Sequence, residues 1–186
     1  MSSLMIHLCM AHALRPDAPA EYYVGHIAPD CVDIREIKDH THFRDRTDRM
    51  AALEELRAAT RPEDDYGEGI LAHLYLDCMW DALVLDSFRQ LGVAAYRREI
   101  SRAGAYLYRR EPWADALWEK IDACPPEKYA SRPDFPPDKI RELIVWQRGW
   151  YAHADGAPSE AYPPDFCVRF LDQTAREYQK WRKKGE

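Results

Sequence analysis

The residues able to do chemistry crowd into the stretch from His7 to Asp81, where histidines and acids recur at spacings that suit a metal ion. The tightest unit is His73-Leu-Tyr-Leu-Asp77. On a helix, residues four apart project from one face about one turn apart, so both side chains can grip one ion. Ile70, Leu71, Leu74 and Leu76 surround the pair. Polar groups in such company need strong partners, and a divalent cation serves both at once. A hydrogen-bonded pair linking core helices meets the same need, and the pair alone does not choose. Upstream, Asp30 follows Pro29 at a turn, and His42 lies twelve residues further on, beside Phe43. Zinc accepts imidazole nitrogen and carboxylate oxygen at about 2.0 to 2.2 Å in a near-tetrahedral arrangement. Asp30, His42, His73 and Asp77 therefore make a complete set of two nitrogens and two oxygens, whereas acids alone would point to magnesium or calcium.

Positioning these residues is a task for helices, because the apolar spacing is helical almost everywhere and proline divides the segments. The pattern predicts helices over residues 3–14, 20–25, 48–59, 66–91 and 93–110, with Gly92 capping the long central one. Further helices are expected from Pro112 through Ile121, over 137–151 and over 163–183. Residues 27–47 show no sustained period and are expected to cross the bundle as an irregular connection. The segment 124–137 contains five prolines and is expected to be an extended strap. The expected fold is one all-α helical bundle over 1–186, with a metal-site half of about 1–92 completed by helices of about 93–186.

Composition narrows the function. With 186 residues, 46% of them apolar, the chain can bury one sizeable core. Lys plus Arg number 26 against 32 acids, a net charge of -6, so bulk attraction to nucleic acid is disfavoured. Five cysteines without a CxxC pair indicate neither a disulfide framework nor a thiolate zinc site, and read as buried thiols of a reducing compartment. No window approaches the apolar length of a membrane span, and the first dozen residues carry no basic group before their apolar stretch, so a soluble, cytoplasmic protein is expected. Of the remaining histidines, His12 is expected at the surface or in packing, while His26 and His40 are alternative ligands should the loop fold differently. Asp33, Asp45, Glu68 and Asp81 are the acids available to orient ligand imidazoles. A membrane-docking role for Trp113, Trp118, Trp146 and Trp150 would require all four on one exposed face.

The strings GHIAPDCVDI, KDHTHFRD and YGEGILAHLYLDCMWD, within residues 5 to 85, resemble the zinc-dependent phospholipase C family, in particular its short, unsecreted bacterial members. The resemblance implies a helical domain holding a zinc cluster, with Asp30, His42, His73 and Asp77 on a first metal. It also implies His7 on a second metal bridged by Asp77, and Asp30 as a general base. The family's further His beyond the His-x3-Asp pair and its later His-x3-Glu have no counterpart, since Leu83 and its neighbours are apolar and the only late histidine is His153. One or two ions are therefore expected rather than three, zinc first and another divalent metal second. The resulting expectation is a hydrolase that attacks a small-molecule or lipid phosphoester with metal-bound hydroxide. The alternative is a non-catalytic helical protein whose metal serves stability or partner binding. An HD-type phosphohydrolase fits less well, because that family uses adjacent His-Asp and the order here is Asp39-His40.

Overall fold

The computed structural model describes residues 3–184, with Leu85 described by its backbone alone, and among these residues it is all-helical. In chain order come α1 (Leu4–Leu14), α2 (Ala20–Gly25), a 3-10 turn at Ala28–Asp30, α3 (Arg35–Thr41), α4 (Arg49–Ala59) and α5 (Asp65–Arg110). After these follow α6 (Ala114–Asp122), a 3-10 turn at Pro126–Lys128, α7 (Pro137–His153) and α8 (Pro164–Arg182). No described helix is long and apolar enough to cross a membrane.

α1 is apolar on every side, and its residues from Leu4 to Ala11 are all buried. A helix of that kind has to run through the centre. It packs against α5 and α8, and its first turn is satisfied from afar. The main-chain N–H of Met5 donates to the Tyr151 hydroxyl at 3.1 Å, and Ser3 Oγ lies 2.9 Å from the same oxygen. α4 and α5 instead carry their own caps: Asp48 accepts from the Ala51 N–H and Asp64 from the Gly67 N–H, each at 2.9 Å.

Two glycines bring α2 onto α5. A Cβ on Gly69 would meet the Tyr22 carbonyl oxygen at 2.1 Å and Gly25 Cα at 2.9 Å, so the crossing exists only because both positions lack side chains. A third glycine breaks α5. Gly92 has φ +74°, outside helical space, and divides the element into arms 65–91 and 93–110. Sixteen residues of straight helix span about 24 Å, yet Trp80 Nε1 donates to the Tyr96 hydroxyl at 2.9 Å. The second arm therefore folds back beside the first.

Several boundaries differ from expectation for identifiable reasons. The 27–47 connection is not irregular throughout, since it holds the turn at Ala28–Asp30 and the seven-residue α3. α3 escaped the apolar period because its inward residue is Lys38, while Ile34 and Ile37 are exposed. Pro112 does not open α6. It lies inside a turn closed by the Ala114 N–H on the Glu111 carbonyl at 3.1 Å, and the helix starts at Ala114. The proline-rich strap contains no α-helix but does contain the short turn at Pro126–Lys128, and α7 continues two residues past Tyr151. The four tryptophans do not share an exposed face, because Trp118 is buried in the core and Trp113 stacks on His12.

Gly69→Ala is expected to lower stability by about 3 kcal/mol, the upper end of overpacking costs, because backbone rather than a yielding side chain opposes the new methyl. Gly149→Ala, at an open position within α7, is expected to raise stability by about 0.5 to 1 kcal/mol. Denaturant titration of the two variants beside the parent protein checks both signs.

Candidate metal centre

Four elements bring the expected residues together around His73. α1 carries His7, the turn at Ala28–Asp30 carries Asp30, His42 is the residue that ends α3, and the first arm of α5 carries His73 and Asp77. His7, His42, His73 and Asp77 are fully buried, and Asp30 is nearly so. His42 Nε2 lies 3.4 Å from His73 Nε2, 3.5 Å from Asp77 Oδ2 and 3.6 Å from Asp30 Oδ1. His7 Nε2 lies 3.4 Å from Asp77 Oδ1, and its ring stacks on that of His73 with centroids 3.7 Å apart.

These spacings have a simple standard. Two ligands held at about 2.0 to 2.1 Å from a tetrahedral ion sit about 3.3 to 3.4 Å from each other. Two groups meet the wider requirement of donor atoms within 4.8 Å of one another: His7 with Asp30 and His73, and His42 with His73 and Asp77. His73 belongs to both. The division differs from the expected one, in which His7 shared a metal with Asp77; here its group includes Asp30 and His73, while its Asp77 contact stands beside that group.

Hydrogen bonding fixes which nitrogens face inward. His42 Nδ1 lies 2.9 Å from the Lys38 carbonyl oxygen, and His73 Nδ1 lies 2.9 Å from that of His26. A carbonyl only accepts, so in the neutral rings both Nδ1 atoms carry the proton and both Nε2 atoms present lone pairs. The two lone pairs then face each other across 3.4 Å, with carboxylate oxygens of Asp30 and Asp77 close by. Lys38 and Arg44 already meet the two carboxylates, and a positive species between the facing imidazole lone pairs would ease what remains. Burial, with His7 beside it, holds the His73 imidazole well below its ordinary value, which disfavours a proton as that species. A divalent cation fits the donor set.

The backbone turns sharply just after His42. Phe43, the next residue, has φ +56°, a left-handed conformation that costs a side chain about 1 to 2 kcal/mol. Arg49 Nε donates to the His42 carbonyl at 2.8 Å. Beyond the turn, Arg44 Nη2 reaches Asp77 Oδ2 at 3.1 Å and Asp81 Oδ2 at 3.0 Å, and Arg49 Nη1 meets Asp81 Oδ2 at 2.9 Å. On the other side, Lys38 Nζ lies 2.7 Å from Asp30 Oδ1. Burial alone would raise the Asp30 carboxyl, but Lys38 above all, with the hydrogen bond to His42, holds it well below the usual carboxylate range.

A cavity of about 530 Å³ opens beside the cluster, with Asp30 and Lys38 at its lining and Trp146 and Trp150 of α7 among its other walls. Ile100 and Ser101 line it from the refolded second arm of α5, so the Gly92 break supplies one side of the space that Asp30 faces.

The acids expected to orient the imidazoles are not the Nδ1 partners of His42 and His73. Asp45 pairs with His40 at the surface, Glu68 pairs with Arg182, and Asp81 takes Arg44 and Arg49. Asp33 lines the cavity. Main-chain carbonyls perform that role instead, which residue types cannot reveal. His40 is thereby excluded from the cluster, and His153 bonds to the Gly149 carbonyl on α7. His26 is fully buried beside the cluster, its ring nitrogens without a hydrogen-bond partner among the described residues, and it belongs to neither donor group. Lys38, Arg44 and Arg49 were invisible as site residues, because a basic run in a polar segment reads as solvated surface. Compared with protein-family models, with curated proteins and with solved structures, the chain shows no match.

Burial also holds His26 well below its ordinary value, with His7 and His73 adding to the effect. Depressed imidazole values mean that the unfolded chain binds more protons as pH falls, so stability is full above about pH 6.5 and declines below it. Asp30 adds a second loss of the same sign as pH falls below about 4. Thermal unfolding of chelator-treated protein is expected to show a constant Tm from pH 8 to 7 and a clear fall between pH 6.5 and 5. A Tm unchanged across that lower interval would contradict neutral buried imidazoles.

Proposed function

We propose that this chain is a zinc-dependent hydrolase of a phosphoester, built on a helical bundle of the zinc-dependent phospholipase C type. The observation that carries the reading is the pair of facing imidazole lone pairs, with two buried carboxylates beside them. A zinc ion held there supplies, when bound, an activated water at neutral pH and positive charge opposite the phosphoryl oxygens. His42, His73, Asp30 and Asp77 are its proposed ligands, with His7 available to a second ion or to complete the first.

Charge balance supports an anionic substrate. Asp30, Asp77 and Asp81 are already matched by Lys38, Arg44 and Arg49. A divalent cation added to neutral imidazoles and balanced ion pairs leaves the loaded centre net positive, and a phosphoryl group restores neutrality. Asp30 is the member that faces both the cluster and the cavity. Its carboxylate, ionised at neutral pH, is placed to take the proton of the attacking water, a role of general-base type. The carbonyls of Lys38 and His26 keep the His42 and His73 rings in the orientation and tautomer that ligation needs.

One observation favours a second reading, a closed structural metal. If Asp30 joined His42, His73 and Asp77 on one ion, the four donors would fill a tetrahedral zinc, whereas hydrolysis requires Asp30 to stand off the ion as base and leave that position to water.

Elemental analysis of protein purified without added metal is expected to give one or two zinc ions per chain. Chelation should lower Tm and added zinc restore it, since a ligand that binds only the native state stabilises it. His73→Ala is expected to abolish uptake. With metal present, Asp30→Asn is expected to slow hydrolysis of a chromogenic phosphodiester by about 100-fold or more. Zinc content near zero that added zinc does not raise would overturn the reading, and stoichiometric zinc without hydrolysis would select the structural alternative.

A further inference from the structure

Lys38 is the unusual member of the site. Its side chain is only 10% exposed, and its Nζ lies 2.7 Å from Asp30 Oδ1. That same oxygen stands 3.6 Å from His42 Nε2. A cation that Asp30 and His42 shared through this oxygen would stand close to the ammonium. Two positive charges within a few ångströms of each other in a buried site repel, and a further anion beside the ammonium relieves that repulsion. The backbone of Lys38 sits one turn before His42, whose Nδ1 donates to its carbonyl at 2.9 Å. Its side chain borders open space, the cavity of about 530 Å³. A volume of that size suits a small-molecule ligand. The other lysine lining the cavity, Lys139, is engaged with Glu142 at 2.7 Å on the surface of α7.

Resting on the metal-dependent reading above, we propose that Lys38 is the anion grip of the cavity. Its ammonium holds Asp30 in the metal-free protein, and it turns to the phosphoryl oxygens of the substrate when Asp30 engages the cation. The residue thus does two jobs in alternation. It neutralises a buried carboxylate that would otherwise stand alone, and it supplies a second positive group opposite the metal for a phosphate. An ammonium suits this exchange because it is a compact point charge on a flexible stem.

The test uses the full chain loaded with zinc and inorganic phosphate as the probe, followed by titration calorimetry. Lys38→Met is expected to take up zinc at least as tightly as the parent protein, since the competitor for Asp30 is gone, and to bind phosphate at least tenfold more weakly. Lys139→Met should weaken phosphate by less than threefold. Phosphate affinity of Lys38→Met within twofold of the parent value, or an equal loss in Lys139→Met, would overturn the proposal. Failure of the parent protein to take up zinc would instead remove the metal reading on which it rests. Should Lys38→Met not fold, acetic anhydride labelling of the parent protein read by mass spectrometry decides the matter. Lys38 is expected to be protected without zinc, more reactive with zinc alone and protected again with zinc plus phosphate. Labelling that phosphate leaves unchanged would refute the grip.

Discussion

Two backbone carbonyls impose the constraint on which the site depends. By accepting from the Nδ1 atoms of His42 and His73, the Lys38 and His26 carbonyls oblige both imidazoles to turn bare Nε2 atoms toward one small volume. The carboxylates beside them are met by Lys38 and Arg44, but the two facing lone pairs repel one another unless something positive joins them. The carbonyls cannot be removed by changing a side chain, so this demand for positive charge is built into the path of the chain itself.

That path is set by a few places where side chains are absent or strained. Gly25 and Gly69 let α2 touch α5 closely enough for the His26 carbonyl to reach His73. Phe43, held in a left-handed conformation, follows the residue that ends α3 and separates His42, which enters the cluster, from Arg44, which pairs with Asp77 and Asp81. Gly92 folds the second arm of α5 back so that Ile100 and Ser101 face the space beside Asp30. Each feature costs local stability, and the broad apolar core formed by α1, α5 and α8 offsets that cost.

Around the imidazoles lies a charge arrangement with opposing consequences. Lys38 on Asp30, and Arg44 with Arg49 on Asp77 and Asp81, make the buried acids tolerable without any ion, because a buried carboxylate left alone is far more costly than a paired one. The same pairing means that the acids do not neutralise an added cation. A centre arranged this way has reason to recruit an anion, and the adjoining cavity gives that anion a place.

Much of this was legible in the residues. Helical spacing located most of the helices, and His73 and Asp77 at i, i+4 had to share a face of the central helix. His7, Asp30 and His42 were identifiable as donors by type and by resemblance, and the structure brings them to the His73 and Asp77 face. What only the tertiary structure decided is how the donors are partnered. α3 hides from an apolar pattern because its buried residue is a lysine, and the groups that orient the imidazoles are carbonyls, which every residue possesses. Periodicity reports which side of a segment avoids water, a property of one stretch of chain. Partnership between charges and backbone groups tens of residues apart is a property of the assembled bundle, so Lys38, Arg44 and Arg49 acquire their meaning only when the helices pack.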